Sequence, residues 1–169
     1  MNFRVEKDLL GEKEIKTSSY FGINTERALE NFNLQGKTVN LNLVKEIALI
    51  KKAAALVNKD LGELKIEKAD AIIKASEEVI SGKFDDQFKL SAFQGGAGTS
   101  TNMNVNEVIA NRAIEILGGE KGDYSLVHPL NDVNMSQSTN DVYPTALRIA
   151  AIRRIRRLSS CLSDLQEEL

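Results

Sequence analysis

The chain has 169 residues, of which 42% are apolar and 27% charged, with a formal net charge of −2 at pH 7. This composition is ordinary for a globular protein, and the acidic balance argues against nucleic acid as a partner. One cysteine and one histidine exclude an internal disulfide and any cysteine-based zinc site, and another metal site would need mostly carboxylates. The neutral donors at the helix starts described below need neither a metal nor a cofactor, and we expect none. No apolar run is long enough to cross a bilayer and no signal peptide opens the chain, so we expect no membrane partner and a cytoplasmic location.

The first part of the chain predicts little regular structure before its first long helix. Residues 1–33 have an irregular pattern that is compatible with one or two strands. A helix is then predicted between Asn42, as its cap, and Gly62, as its end. Its apolar stripe is Leu43, Ile47, Ile50, Ala54, Val57 and Leu61.

Two further helices are predicted before the last loop. The second runs from about Glu67 to Ser81, with one face made of Ala69, Ile72, Ser76 and Val79. The third begins near Met103 and is closed by Gly118 and Gly119. The loop that follows contains His128, and a lone loop histidine is interpreted as a surface or packing residue.

The last predicted helix starts near Tyr143, with Pro144 in its first turn, and continues to Leu169. Its apolar residues recur every three or four positions, close to a heptad pattern, and they predict a seam for a partner helix. These residues are Leu147, Ala151, Ile155, Leu158, Leu162, Leu165 and Leu169. Cys161 lies next to this seam and is expected to be a small core residue. The fold class is therefore mainly α.

Two runs rich in hydroxyl and amide side chains precede the third and the last helix. They are residues 95–104 (GGAGTSTNMN) and 136–145 (SQSTNDVYPT). Such runs cap helices, and that interpretation alone is sufficient for an arbitrary example. Each run, however, holds more hydrogen-bonding groups than one cap needs, and helix N-termini attract anions. If the two helix starts face each other, they suit a small dianion.

Three segments resemble the signature segments of the fumarase/aspartase superfamily. They are Tyr20–Phe32 (YFGINTERALENF), Gln94–Asn111 (QGGAGTSTNMNVNEVIAN) and Val127–Thr145 (VHPLNDVNMSQSTNDVYPT). The resemblance extends from about Val5 to the end of the chain, and motifs of this length and order are highly specific.

Sequence variants inside these segments favour the aspartase branch over class II fumarases. Fumarases usually carry Thr-Gly-Ser-Gly-Thr where this chain has Gly95–Thr99, and Ser-Ser-Asn where it has Ser138–Asn140. They also tend to have Gly-Ala-Gln-Thr in place of Gly22–Thr25. Fumarases have a second anion site in the loop that corresponds to His128 and Pro129. We do not expect that site in this chain, because Leu130 interrupts the polar pattern of the loop.

The resemblance implies a β-elimination that converts L-aspartate into fumarate and ammonia. A base removes a proton from Cβ, the neighbouring carboxylate takes up the charge as an aci-carboxylate, and ammonia leaves. Preorganised neutral donors lower such a barrier in the way an oxyanion hole does. By their position in the motifs, the residues that bind the dicarboxylate substrate, through its carboxylate or its amino group, are Thr99, Ser138, Thr139 and Asn140.

The resemblance also implies that this chain is one part of a larger lyase. Residues 1–140 correspond to the N-terminal domain, and residues 141–169 to the truncated start of the central helical domain. The family's catalytic serine lies in a Gly-Ser-Ser-x-Met-Pro loop that this sequence lacks, so no catalytic residue is expected in this chain and the fragment is expected to be inactive alone. A homo-oligomer formed through the C-terminal helix is expected. Two alternatives stay open: a class II fumarase or another superfamily lyase, and a non-catalytic assembly or anion-binding module.

Overall fold

A computed structural model describes residues 2–34 and 36–169 of the chain. Within them the fold is mainly α, as predicted, with one β-hairpin at the start. The strands are β1 (Phe3–Asp8) and β2 (Gly11–Lys16), and the helices are α1 (Ile23–Asn31), α2 (Leu41–Asp60), α3 (Ile66–Ile80), α4 (Thr99–Ile116) and α5 (Thr139–Glu168). None of these helices combines the length and the apolar character that a membrane span requires.

The opening segment is more regular than the sequence predicts. The two strands pair antiparallel, from Phe3 opposite Lys16 to Asp8 opposite Gly11. Helix α1 follows them and is absent from the prediction, because it is nine residues long and its cap residue, Gly22, has no capping side chain. The guanidinium of Arg27 on α1 donates two hydrogen bonds of 2.7 Å to the Asp8 carboxylate, and these bonds join α1 to the hairpin.

The N-terminus of α1 is capped by Glu107, a fully buried residue of α4. Its carboxylate accepts hydrogen bonds from the backbone N–H groups of Gly22 (2.9 Å), Asn24 (2.8 Å) and Thr25 (3.1 Å), and from the Thr25 hydroxyl (2.6 Å). Burial raises the pKa of the Glu107 carboxyl, and these hydrogen bonds oppose the rise. The first and second signature segments are therefore held together by one carboxylate at a helix N-terminus.

Helices α2 and α3 pack against each other, and the predicted face of α3 is confirmed. Ala69, Ile72, Ser76 and Val79 are all fully buried. Helix α2 begins at Leu41, and its cap is Asn40, whose Oδ1 accepts a 2.9 Å hydrogen bond from the N–H of Asn42.

The predicted apolar stripe of α2 is wrong in its second half. Leu43 and Ile47 are buried, but Val57 and Leu61 are 56% and 69% exposed. The buried face turns instead through polar positions, which are Glu46, Lys51 and Asn58. A count of apolar residues alone cannot follow a face on which lysine and asparagine are buried.

Helix α4 is the central element, buried on nearly all sides between Thr101 and Ile114. It packs against α1, α2, α3 and α5. It begins at Thr99, four residues before the predicted start near Met103. The polar side chains of its first turns are therefore part of the helix and not of a preceding loop.

Helix α5 also begins earlier than predicted, at Thr139, so Pro144 is its sixth residue and not part of its first turn. Since proline has no N–H, the carbonyl of Asn140 has no partner at the usual position in the helix. Every residue from Ala151 onward is exposed, including Cys161. The expectation that Cys161 is a core residue is wrong, because no described element covers this part of α5.

Candidate functional site

A cavity of about 300 Å³ lies between the two polar runs. Its wall is formed by Ala92, Gln94, Gly96, Ala97, Gly98, Asn140, Tyr143 and Pro144. The glycine-rich run thus meets the first turns of α5, as the two-run hypothesis requires. Asn140 and Thr99 are both exposed, so a small molecule can reach the two helix starts.

The backbone of the glycine-rich run approaches the ring of Tyr143 very closely. A Cβ atom at Gly98 would lie 2.2 Å from Cδ2 of Tyr143, and the φ angle of Gly98 is +82°. The short distance and the positive φ angle each make any residue other than glycine unfavourable at this position. Gly98 therefore sets the separation between the start of α4 and the start of α5.

The start of α4 is suited to an outside acceptor. Its cap residue, Gly98, has no side chain to satisfy the first N–H groups, and the first turn holds no acidic residue. Gln94 Oε1 accepts from the N–H of Thr101 at 3.1 Å and from its hydroxyl at 3.0 Å. The positive end of this helix is therefore aimed at the cavity region without a charged cap.

The four predicted site residues lie at these two helix starts. Thr99 is the first residue of α4, and Ser138 caps α5, with its Oγ accepting a 3.2 Å hydrogen bond from the N–H of Asn140. Thr139 Oγ1 accepts from Asn102 Nδ2 of α4, also at 3.2 Å. Within the described residues, Asn140 is the member of the four that lines the cavity wall. Their role in substrate binding stays a prediction.

The chain is similar to known lyases along nearly its whole length. A family model described as Lyase matches residues 11–169. The aspartate ammonia-lyase of a Bacillus species is 51% identical over 165 residues, which are 98% of this chain and 35% of that protein. The class II fumarate hydratase of Wigglesworthia glossinidia brevipalpis is 52% identical over 154 residues, 91% of this chain and 33% of that protein. The crystal structure of fumarate lyase:delta crystallin from Brucella melitensis aligns with a TM-score of 0.93 at 51% identity, over 96% of this chain and 38% of that one.

The chain belongs to the fumarase/aspartase superfamily of lyases. The resemblance carried by the three signature segments is thereby confirmed. The chain corresponds to the N-terminal region of the superfamily and spans about a third of the length of the relatives it matches. Aspartases and class II fumarases match it equally well, so the preference for aspartase stays a prediction.

A buried polar network supports the site of this superfamily member, and the sequence did not predict it. Its centre is Asn134, whose Oδ1 accepts hydrogen bonds from Lys51 Nζ (2.6 Å), Asn102 Nδ2 (3.1 Å) and Asn106 Nδ2 (3.2 Å). Lys51 Nζ also donates to Gln137 Oε1 at 3.0 Å. The one available signal in the sequence is a lysine placed among apolar residues on α2.

The Lys51 amine is the cationic group of this network, and its pKa is strongly shifted. Its side chain is fully buried, and burial lowers the pKa of Lys51 to about 7. Within the described residues no carboxylate oxygen lies within 4.0 Å of its Nζ. Two amide oxygens hold the amine in place of a counter-ion.

His128 lies apart from the cavity between the two helix starts. Its Nδ1 accepts hydrogen bonds from the N–H groups of Leu130 (3.0 Å) and Asn131 (3.2 Å) and so caps the short helical turn Pro129–Val133. It lines a different cavity, next to the apolar hairpin tip of Leu9 and Leu10. The interpretation of His128 as a packing residue agrees with this position. Within the described residues, no three His, Cys, Asp or Glu side chains are grouped so that they could hold a metal ion.

Proposed function

We propose that this chain supplies the carboxylate-binding part of an aspartate ammonia-lyase active site. The observation that supports this most directly is the meeting of two polar helix starts at one open cavity. The donors there are neutral hydroxyls, amides and backbone N–H groups, and these suit a carboxylate whose charge increases during the reaction. The relatives named aspartate ammonia-lyase give aspartate as the substrate, and those named fumarate hydratase give fumarate as a ligand of the same dicarboxylate class.

In the proposed reaction, the chain's own residues bind and orient the dicarboxylate. The start of α4 at Thr99 and the start of α5 at Ser138–Asn140 hold the carboxylate that becomes an aci-carboxylate when Cβ loses its proton. Stabilisation is greatest in that charged state, so the donors lower the barrier more than they tighten substrate binding. The base that removes the proton is proposed to come from protein outside these 169 residues.

The second candidate function is that of a class II fumarase, favoured by the equally high identity to fumarate hydratases. A chimera tests whether this chain completes an aspartate ammonia-lyase active site. In it, this chain replaces the matched 163 residues of the Bacillus subtilis aspartate ammonia-lyase, which is 49% identical. We expect the chimera to release fumarate from L-aspartate and not from malate. The 169-residue chain alone is expected to bind fumarate but to release none from either substrate.

The same chimera tests the assigned residues. Thr99→Ala and Ser138→Ala should each lower kcat/KM for aspartate by roughly 100-fold, as expected when one donor to a developing oxyanion is lost. Ser160→Ala on the exposed part of α5 is the control and should leave kcat/KM unchanged. Wild-type kinetics in both site variants would refute their roles. A chain that binds fumarate while the chimera turns over neither substrate would favour the non-catalytic anion-binding module.

A further inference from the structure

Lys51 is a buried cation whose position the packing of α2 does not explain. It is 0% exposed and lies on the face of α2 that buries the apolar residues Ile47, Ala48 and Ala55. Removing an amine from water without a carboxylate partner is costly. Its two hydrogen bonds, to Asn134 Oδ1 and Gln137 Oε1, are therefore the reason for a lysine at this position.

The amine decides which way the Asn134 amide points. In its charged form the lysine amine can only donate hydrogen bonds, so the atom of Asn134 that faces it is the oxygen. That oxygen can only accept hydrogen bonds, and it accepts them from the Nδ2 atoms of Asn102 and Asn106. The Oδ1 atoms of those two asparagines are buried and accept no hydrogen bond within the described residues, so each amide is oriented through its nitrogen.

The chain of hydrogen bonds ends at the candidate site. Asn102 Nδ2 also donates to Thr139 Oγ1 at 3.2 Å, and Thr139 is the first residue of α5. Lys51 on α2 is thus connected to the start of α5 through Asn134 and through Asn102 of α4.

We propose that Lys51 is a positioning residue for the dicarboxylate site, acting through Asn134 and Asn102 to fix Thr139 and the first turn of α5 against α4. The nature of the ligand rests on the proposed function, whereas the positioning itself rests on the hydrogen bonds alone. Lys51 touches no substrate in this role. It sets the orientation of amides that in turn hold a substrate-binding residue.

Lys51→Met tests the proposal in the 169-residue chain, with Lys52→Met as its matched control. Lys52 is the next residue on α2 and pairs with Glu77 near the surface, at 2.7 Å. Two quantities are measured by nuclear magnetic resonance: the side-chain amide signals of Asn102, Asn106 and Asn134, and the affinity for fumarate. Lys51→Met should shift those signals and weaken fumarate binding by about tenfold, while Lys52→Met should change neither.

A second pair of variants covers the case in which Lys51→Met does not fold. Asn134→Leu removes the central oxygen, whereas Asn134→Asp keeps an oxygen for Lys51, Asn102 and Asn106. Both lose the hydrogen bond from Asn134 Nδ2 to the Gln137 carbonyl, so this bond does not contribute to the difference between them. Asn134→Asp should retain more of the wild-type fumarate affinity and more of the wild-type Asn102 signal than Asn134→Leu.

The outcomes separate this proposal from the proposed function. If the wild-type chain binds no fumarate, the proposed ligand class fails, and the asparagine signals still decide whether Lys51 positions the network. If fumarate binds and Lys51→Met matches Lys52→Met in both measurements, the positioning role is overturned and the ligand class stands. Equal effects of the two Asn134 variants would also overturn it.

Discussion

The ionisation of Lys51 links one buried residue to the stability of the whole chain. In the folded protein burial lowers its pKa to about 7, whereas an unperturbed lysine has a value of 10.5. Between these two values the unfolded state binds more protons than the folded state, so the free energy of unfolding rises with pH. The buried amine therefore lowers the free energy of unfolding near pH 7. The same amine binds Asn134 and so orients the amides of the network.

We therefore expect the free energy of unfolding to increase by about 2 kcal/mol between pH 7 and pH 9, since a fully coupled proton contributes about 1.4 kcal/mol per pH unit. Urea unfolding at both pH values measures this. Lys51→Met should lose the increase and Lys52→Met should retain it. An identical pH slope in the wild type and in Lys51→Met would show that Lys51 keeps an ordinary pKa in the fold.

Residues of this kind mark the limit of what the sequence predicts. The motifs predict Thr99, Ser138, Thr139 and Asn140 as site residues, and the structure places them at two neighbouring helix starts. The one signal, at Lys51, is weak because a lysine in a helix is usually a solvated residue, and Asn134 carries no local signal. Their meaning depends on partners 83 residues apart in the sequence.

At the scale of elements, the sequence predicts the buried face of a helix correctly where that face is apolar. The four residues predicted for the face of α3 are all buried, together with Ala71 and Ala75, because the inner residues of this helix are small or apolar. The stripe of α2 was wrong beyond its middle, because its inner face continues through Lys51 and Asn58. The sequence does not predict α1, because the cap of this helix is Glu107 of α4 and no residue near Gly22 in the sequence indicates a helix start.

The contact between Gly98 and Tyr143 can be tested with a matched pair of glycines. Gly98 and Gly118 have nearly the same φ angle, +82° and +84°, but a Cβ atom at Gly118 would meet nothing within 4 Å. Gly118→Ala should therefore cost about 1 kcal/mol of backbone strain, and Gly98→Ala about 3 kcal/mol because overpacking against Tyr143 is added. Urea unfolding of both variants gives the difference, and equal losses would mean that Tyr143 moves away freely.

At the scale of the whole molecule, α5 leaves an apolar face uncovered. Leu147, Ile155, Leu158, Leu162 and Leu165 are between 53% and 64% exposed. The predicted seam is therefore available for a partner helix. The homo-oligomer and the boundary between the two predicted parts at residue 140 both stay predictions.

We expect the 169-residue chain to self-associate through this face, because burying one Leu or Ile side chain contributes about 1.5–3 kcal/mol. Sedimentation velocity over a range of concentrations should show species larger than the monomer. Leu158→Glu together with Leu162→Glu should return the chain to a monomer. Ser160→Glu lies on the opposite side of α5 and serves as the control. A monomer at every concentration in the wild type would contradict the prediction.

The capping of α1 by Glu107 has a consequence for the order in which the molecule assembles. Thr25 leaves the ribosome 82 residues before the carboxylate that binds it. Until α4 has emerged, α1 has no cap in the nascent chain. The hairpin, which the Asp8–Arg27 contact joins to α1, then has no folded element to pack against. We infer that the hairpin and α1 are synthesised before α4 but fixed in place only after it, which reverses the usual N-to-C order of folding during synthesis.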